Sequence, residues 1–137
     1  MSWLLDVNFV LASRWETHPN HQAAKAWLDS LAEFHTCSIS ELGFVRISLR
    51  SAYGATWGDV QETLKQLNTR SGYNFLADDV KGSDAPETSA KDTTDAHLVT
   101  LAMRHGLKLA TLDSALTAKP WAAGVAENPL SQSAKSS

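Results

Sequence analysis

Short apolar runs alternate with longer amphipathic stretches along the chain. Trp3-Leu4-Leu5 runs into Asp6, and Phe9-Val10-Leu11 follows after Val7 and Asn8. That pattern predicts a buried strand over residues 2–6 and a short helix over 8–15, opened by Asn8. His18-Pro19-Asn20-His21 predicts a turn that starts a second helix, because proline fits a helix's first turn. Ala24, Trp27, Leu28 and Leu31 then recur at helical spacing. Residues 35–38 read as a second strand. Ser40 is expected to cap a helix over about 41–51, with Leu42, Val45 and Leu49 as its apolar stripe. Arg46 and Arg50 share another face of that helix.

Tyr53-Gly54-Ala55 interrupts the pattern. Trp57, Val60, Leu64 and Leu67 then mark an amphipathic helix. Residues 73–77 predict a third strand. Residues 78–91 carry Gly82, Pro86 and several charges with little apolar content, which predicts a mobile loop. A long helix follows, with Leu98, Leu101, Ala102 and His105 on one side, and Gly106 ends it. Residues 107–112 predict a fourth strand running into Asp113. Residues 114–118 suggest a helical turn, and 124–127 an edge strand. Residues 1–130 then form one domain, and the polar residues 131–137 an expected disordered tail. Strands alternating with helices imply a parallel sheet with right-handed crossovers. The expected fold is a three-layer α/β/α sandwich of about five strands.

The bulk figures narrow the class. A chain of 137 residues with 43% hydrophobic content suits one domain and one core. The single cysteine, Cys37, excludes an internal disulfide framework and suits a reducing cytoplasm. In a strand it is expected as a small buried hydrophobe. No apolar run reaches membrane-span length, and the acid at position 6 argues against a secretory signal. A formal charge of -3 excludes a surface that grips nucleic acid all over. It leaves room for a basic rim around an acidic, metal-filled centre.

Four carboxylates stand at special places. Asp6 ends the first strand, Glu41 begins the helix after the second, Asp95 lies in the first turn of the long helix, and Asp113 ends the fourth strand. Strand ends and helix starts share one edge of a parallel sheet, so the fold gathers all four at one rim. Each also has an ordinary use: Asp6 and Asp113 as caps, Glu41 and Asp95 as first-turn acids that favour a helix start. Asp95 lies three positions before Leu98 and is turned toward the interior, where an uncompensated carboxylate is costly. Asp92 has no apolar stripe aligned with it and is expected to be solvated or capping. Several carboxylates at one point cannot all ionise without a counter-charge. Oxygen-only donors suit Mg²⁺ or Mn²⁺ rather than zinc. Such ions activate water and stabilise a phosphate's leaving oxygen, so phosphodiester hydrolysis is the natural reaction.

With these residues placed, the chain resembles the PIN-domain ribonucleases, and among them the VapC-type toxins of prokaryotic toxin–antitoxin pairs. The matching pieces run in order. They are Leu4-Leu5-Asp6-Val7-Asn8, His18-Pro19-Asn20-His21 with Trp27-Leu28, Ser40-Glu41 with Arg46, Thr94-Asp95-Ala96-His97-Leu98 through Ala102, and His105-Gly106-Leu107 through Asp113. The resemblance implies a five-stranded parallel sheet and Mg²⁺- or Mn²⁺-dependent cleavage of RNA to 5′-phosphate and 3′-hydroxyl ends. It places the core acids at Asp6, Glu41 and Asp95 and a fourth at Asp113, supported by Asn8 and Thr111. It also implies a homodimer, and an antitoxin whose tail occupies the active groove. The short polar 78–91 loop departs from the family pattern and bears on substrate contacts.

Other candidates have plainer uses. His18 and His21 lack further metal-ligand partners nearby and fit a structural role at a helix start. His105 is expected to be packed and His97 more exposed. Arg46 and Arg50 could touch phosphate or an antitoxin, or form a solvated face. The tryptophans are expected in the core or a dimer interface. Rival functions are a haloacid-dehalogenase-like phosphatase, a receiver-type phospho-switch, a PIN fold that only binds, and a PIN nuclease of RNA processing outside any toxin–antitoxin pair. Asn8 stands where the phosphatase needs a second aspartate, and the acids do not sit where a receiver needs them.

Overall fold

The structure, a computed structural model, describes residues 2–50 and 52–131. Residues 132–137 of the expected tail lie outside the described residues. In chain order the elements are β1 (Trp3–Leu5), α1 (Val7–Arg14), α2 (His21–Asp29), β2 (Phe34–Cys37), α3 (Ser38–Ser48), α4 (Trp57–Asn68), β3 (Tyr73–Leu76), α5 (Thr93–Arg104), β4 (Lys108–Ala110), α6 (Ser114–Thr117) and β5 (Ala126–Glu127). The five strands form one parallel sheet in the order β3-β2-β1-β4-β5.

Strand β1 is central, and its side chains alternate between two cores. Leu5 packs with Phe9, Val10, Leu28, Phe34, Phe44 and Val60, beneath α1 to α4. Leu4 faces the other way, among Leu98, Val99, Leu101, Ala102 and Leu109 under α5. Both leucines are fully buried, as expected of a parallel strand covered on both faces. The three layers expected from the alternating pattern are therefore present. Because β2 lies on one side of β1 and β4 on the other, the strand order reverses between β1 and β4. Open α/β sheets bind ligands in the crevice at such a reversal, outside the carboxyl ends of the strands.

Helix α1 buries five consecutive residues, Phe9 to Ser13. A helix apolar all round must be enclosed, and here α2, α3 and the sheet enclose it. The crossing with α3 is tight at Gly43. A Cβ there would stand 2.5 Å from Val7 Cγ2. Glycine is what lets α3 approach the first turn of α1, directly after Asp6.

The structure corrects the expected α3. The helix starts at Ser38, capped at Cys37, and Ser40 is its third residue rather than its cap. The Ser40 hydroxyl instead accepts from the Cys37 backbone N–H at 3.0 Å. The buried face is Ser40, Gly43, Phe44 and Ser48. Ser48 is buried because its hydroxyl accepts the Trp15 indole N–H at 2.8 Å. The stripe Leu42–Val45–Leu49 lies on the outer side, with Leu42 64% exposed and Leu49 44% exposed.

Within the expected mobile loop of residues 78–91, residues 78–84 are tied to α5. Asp78 Oδ2 lies 2.6 Å from His97 Nε2, and both Asp79 oxygens lie 3.0 Å from His105 Nε2. Arg104 donates to the Asp79 carbonyl at 2.7 Å and to Asp84 at 3.2 Å. Val80 turns into the α5 core and is only 8% exposed. The histidine expectation is reversed: the His97 side chain is 15% exposed and that of His105 33%. Helix α5 turns Leu98, Leu101 and Ala102 inward as expected, but His105 has left that face as the helix closes at Gly106.

Candidate active site

Asp6 sits where β1 ends and α1 begins, and it is 4% exposed. Its two oxygens have separate duties. Oδ1 accepts the Val7 N–H at 2.8 Å and caps α1. Oδ2 accepts the Thr111 hydroxyl at 2.8 Å. One side chain thus both caps α1 and reaches across to Thr111. Burial is the larger influence and raises the Asp6 pKa, against the two hydrogen bonds; the nearby Asp113 charge also raises it.

Thr111 ties the site together. It is fully buried just past β4. Besides donating to Asp6, its oxygen accepts from Asn8 Nδ2 at 3.3 Å and from the Asp113 N–H at 3.1 Å. Asn8 Oδ1 accepts the Leu112 N–H at 3.1 Å. The first turn of α1 is thereby stitched to the segment leaving β4, across the point of strand reversal. Asn8 and Thr111, both expected as supporting residues, are thus bonded to each other at this point. Asp113 caps α6, its Oδ1 accepting from Ala115 and Leu116 N–H at 2.9 and 3.2 Å.

Asp95 is half-buried in the first turn of α5. Its pKa is pushed up to about 6, first by burial and then by the charges of Asp6, Asp113 and Asp92. Three aspartates from three parts of the chain therefore act on one another. Asp92 joins them electrostatically, but its carboxylate accepts from Ser89 Oγ at 3.0 Å and pairs with Lys119 Nζ at 3.2 Å.

Glu41 lies in the first turn of α3, at the same sheet edge, but is not among the charges that act on Asp6 or Asp95. Its Oε2 accepts two hydroxyls, from Thr36 and from Tyr73, the latter at 2.7 Å. Burial, together with the adjoining Glu41 carboxylate, pushes the Tyr73 phenol up to about 12 against a hydrogen bond with Thr36, so it keeps its proton at neutral pH. Thr36 and Tyr73 were not singled out in the sequence. One clue was available: alternation in the second strand puts Thr36 on the same face as Phe34, a buried hydroxyl in an apolar strand. Arg46 is exposed in the last turn of α3, and Arg50 lies beyond its end. At 1.5 Å per residue, Arg46 is roughly 7.5 Å farther along the axis than Glu41, away from the acid-bearing edge. His18 and His21 are structural: His18 Nδ1 accepts the Asn20 N–H at 3.0 Å, and His21 Nδ1 bonds the Ala12 carbonyl at 2.8 Å.

The donor chemistry fits a hard divalent cation. All four acids offer oxygen only, and the mutual repulsion of Asp6, Asp95 and Asp113 is relieved by positive charge. Among the described residues no three His, Cys, Asp or Glu side chains form a group that could by itself hold a metal ion. Mg²⁺ commonly binds through one or two carboxylates and retains several waters, so a looser set suits it.

The chain is similar to proteins whose names carry a defined activity. Residues 3–121 match the PIN domain model. Ribonuclease VapC38 of Mycobacterium tuberculosis (strain ATCC 25618 / H37Rv) is 40% identical, over 81% of this chain and 84% of that protein. Ribonuclease VapC39 of the same strain is 33% identical, over 85% of this chain and 91% of that protein. Among solved structures, Mycobacterium tuberculosis VapC20, described as a Sarcin-Ricin loop cleaving toxin, superposes with a TM-score of 0.62. That match has 12% identity and covers 85% of this chain and 93% of the other, a likeness of fold. With the acids at the strand reversal and matches over most of its length, the chain belongs to the PIN-domain family, among its VapC-type ribonucleases.

Proposed function

We propose that this protein is a divalent-metal-dependent endoribonuclease acting as the toxin of a toxin–antitoxin pair. The observation that carries the reading is the Asp6–Thr111 bond across the strand reversal, with Asp6 and Asp113 both acting on the Asp95 carboxylate. Asp6, Asp95 and Asp113, with Glu41 beside them, would hold Mg²⁺ or Mn²⁺. When bound, such ions lower the pKa of water and offset charge on the phosphate oxygens of the scissile bond. The protein supplies orientation. Thr111 and the Val7 N–H fix both oxygens of Asp6, and the α6 cap fixes Asp113. Asp95, whose pKa burial and the neighbouring carboxylates push up to about 6, would be kept ionised by such a cation.

The partners follow from the family: an RNA substrate, a cognate antitoxin and a second copy of the chain in a homodimer. The exposed apolar residues Leu42, Trp57, Phe75 and Met103 are surface on which such protein contacts could form. Among the described residues no helix is long and apolar enough to cross a membrane, which is compatible with action in the cytoplasm.

The test is cleavage of a mixed RNA pool by purified protein with Mg²⁺, with Mn²⁺ and with chelator, alongside Asp6→Asn and Asp95→Asn. Cuts that require metal and vanish in both variants are the expected result. Cuts that persist in chelator or in both variants would refute the mechanism.

A further inference from the structure

Glu41 is held differently from the aspartates. Its Oε2 is bound by two hydroxyls at once, and among the described residues its Oε1 accepts no hydrogen bond. The hydroxyls come from neighbouring strands. Thr36 lies in β2 and Tyr73 in β3, in parallel register with Phe34 opposite Tyr73 and Thr36 opposite Phe75. Thr36 and Tyr73 therefore lie on one face, and the two oxygens are 3.0 Å apart. Three close contacts join the two hydroxyls and one carboxylate oxygen, but the hydroxyls have only two protons to share. Charge-assisted bonds to a carboxylate are the stronger, so both protons go to Oε2. Glu41 also lines an open cavity of about 310 Å³, shared with Ser38, Leu42, Val45, Leu64 and Phe75.

The rest of Tyr73 is well supported. Its ring meets Phe34 edge-on, with centroids 5.8 Å apart. The ring thus explains packing, whereas the hydroxyl is spent on Glu41. A purely structural tyrosine at this place would need only the ring.

We propose that Tyr73, together with Thr36, is a positioning residue for Glu41: the two hydroxyls fix Oε2, which sets the side-chain rotamer and leaves Oε1 as the atom offered to a divalent cation. The proposal rests on the reading of Glu41 as a member of the active site. It adds a polar support on the β2–β3 side to match the Thr111 support on the β1–β4 side. Loss of such outer hydrogen bonds typically weakens metal binding or activity by about 10–100-fold.

The test is Mn²⁺ titration of the metal-free chain, followed by electron paramagnetic resonance of the free ion, for the parent, Tyr73→Phe, Glu41→Gln and the double variant. Tyr73→Phe keeps the ring against Phe34. It should weaken Mn²⁺ binding by about 10-fold or more, with an unfolding midpoint close to the parent's. Glu41→Gln should weaken it at least as much, and Tyr73→Phe should add little in the Glu41→Gln background. Thr36→Val and Thr36→Ser guard against a folding defect at Tyr73: serine keeps the hydroxyl and should bind Mn²⁺ like the parent, and valine should not. Parental affinity in Tyr73→Phe would overturn the proposal, as would a full additional loss on top of Glu41→Gln. Parental affinity in Glu41→Gln would instead remove Glu41 from the metal site, and the reading beneath the proposal would fail first.

Discussion

Replacing Asp95 by Asn should stabilise the metal-free protein at neutral pH. The Asp95 pKa rises from 3.8 to about 6 in the folded chain, through burial and the charges of Asp6, Asp113 and Asp92. A raised carboxylate pKa means that the folded state binds more protons than the unfolded state between about pH 4 and pH 6. Stability therefore falls as pH rises through that window, and the whole penalty is present above pH 6. Unscreened, the rise corresponds to about 3 kcal/mol. Asp95 is half-buried, so solvent screening reduces this to about 1–2 kcal/mol. Against it stands the benefit of an acid in a helix's first turn, about 0.3–1 kcal/mol, which Asn gives up. The cost of burying and crowding the charge wins, leaving a net gain of about 1 kcal/mol for Asp95→Asn at pH 7.5. Urea unfolding followed by tryptophan fluorescence, in chelator, measures the gain directly. At pH 4.5 folded Asp95 is protonated while the unfolded carboxyl is still mostly ionised, so about a third of the penalty remains and the gain should be clearly smaller. Mn²⁺ at pH 7.5 should reverse the order, since ligand that binds only the folded state stabilises it, and the variant has lost a donor. A variant less stable than the parent in chelator at pH 7.5 would refute the reasoning. So would an equal gain at both pH values, which would point to packing rather than charge.

Thr111→Val removes the donor to Asp6 Oδ2 and the acceptor for Asn8 and the Asp113 N–H. It should cost about 1–3 kcal/mol in urea unfolding and about 10–100-fold in RNA cleavage. Gly43→Ala places a methyl 2.5 Å from Val7 Cγ2 and should lower stability by about 1–3 kcal/mol, because a β-branched side chain enclosed by two helices has little room to move; an unchanged urea midpoint would contradict the tight crossing. Arg104→Ala frees the Asp79 carbonyl and Asp84, so hydrogen exchange should quicken at the Val80 and Lys81 amides while global stability changes by less than about 1 kcal/mol.

What could be read from the sequence was what short-range pattern controls. The ends of the central strands, the alternation of layers and the edge position of Asp6, Glu41, Asp95 and Asp113 all follow from local periodicity. Where the reading failed, a distant partner had overridden a local pattern. Leu42, Val45 and Leu49 do lie on one stripe, but Gly43 and Phe44 pack on α1 and Ser48 bonds Trp15, so the stripe was turned outward. The charges of residues 78–84 looked solvated because their partners, His97, Arg104 and His105, lie about twenty residues farther on. The hold of Thr36 and Tyr73 on Glu41 depends on the pairing register of two parallel strands, which neither strand's own residues announce. Asn8 and Thr111 entered through family resemblance alone, since the bond between them joins parts of the chain 103 residues apart.

The bond between Asp6 and Thr111 spans 105 residues of sequence. During synthesis a ribosome adds Asp6, Glu41 and Asp95 before it reaches Thr111 and Asp113. None of them meets its full set of neighbours until the strand ending at Ala110 has docked beside the first. A nascent chain stopped short of residue 111 carries most of the acids but lacks both the hydroxyl that orients Asp6 and the carboxylate of Asp113. For an enzyme proposed to cut RNA, that ordering matters. The proposed capacity to do so arises only once residues 111–113 have been added and the strand before them has docked beside the first.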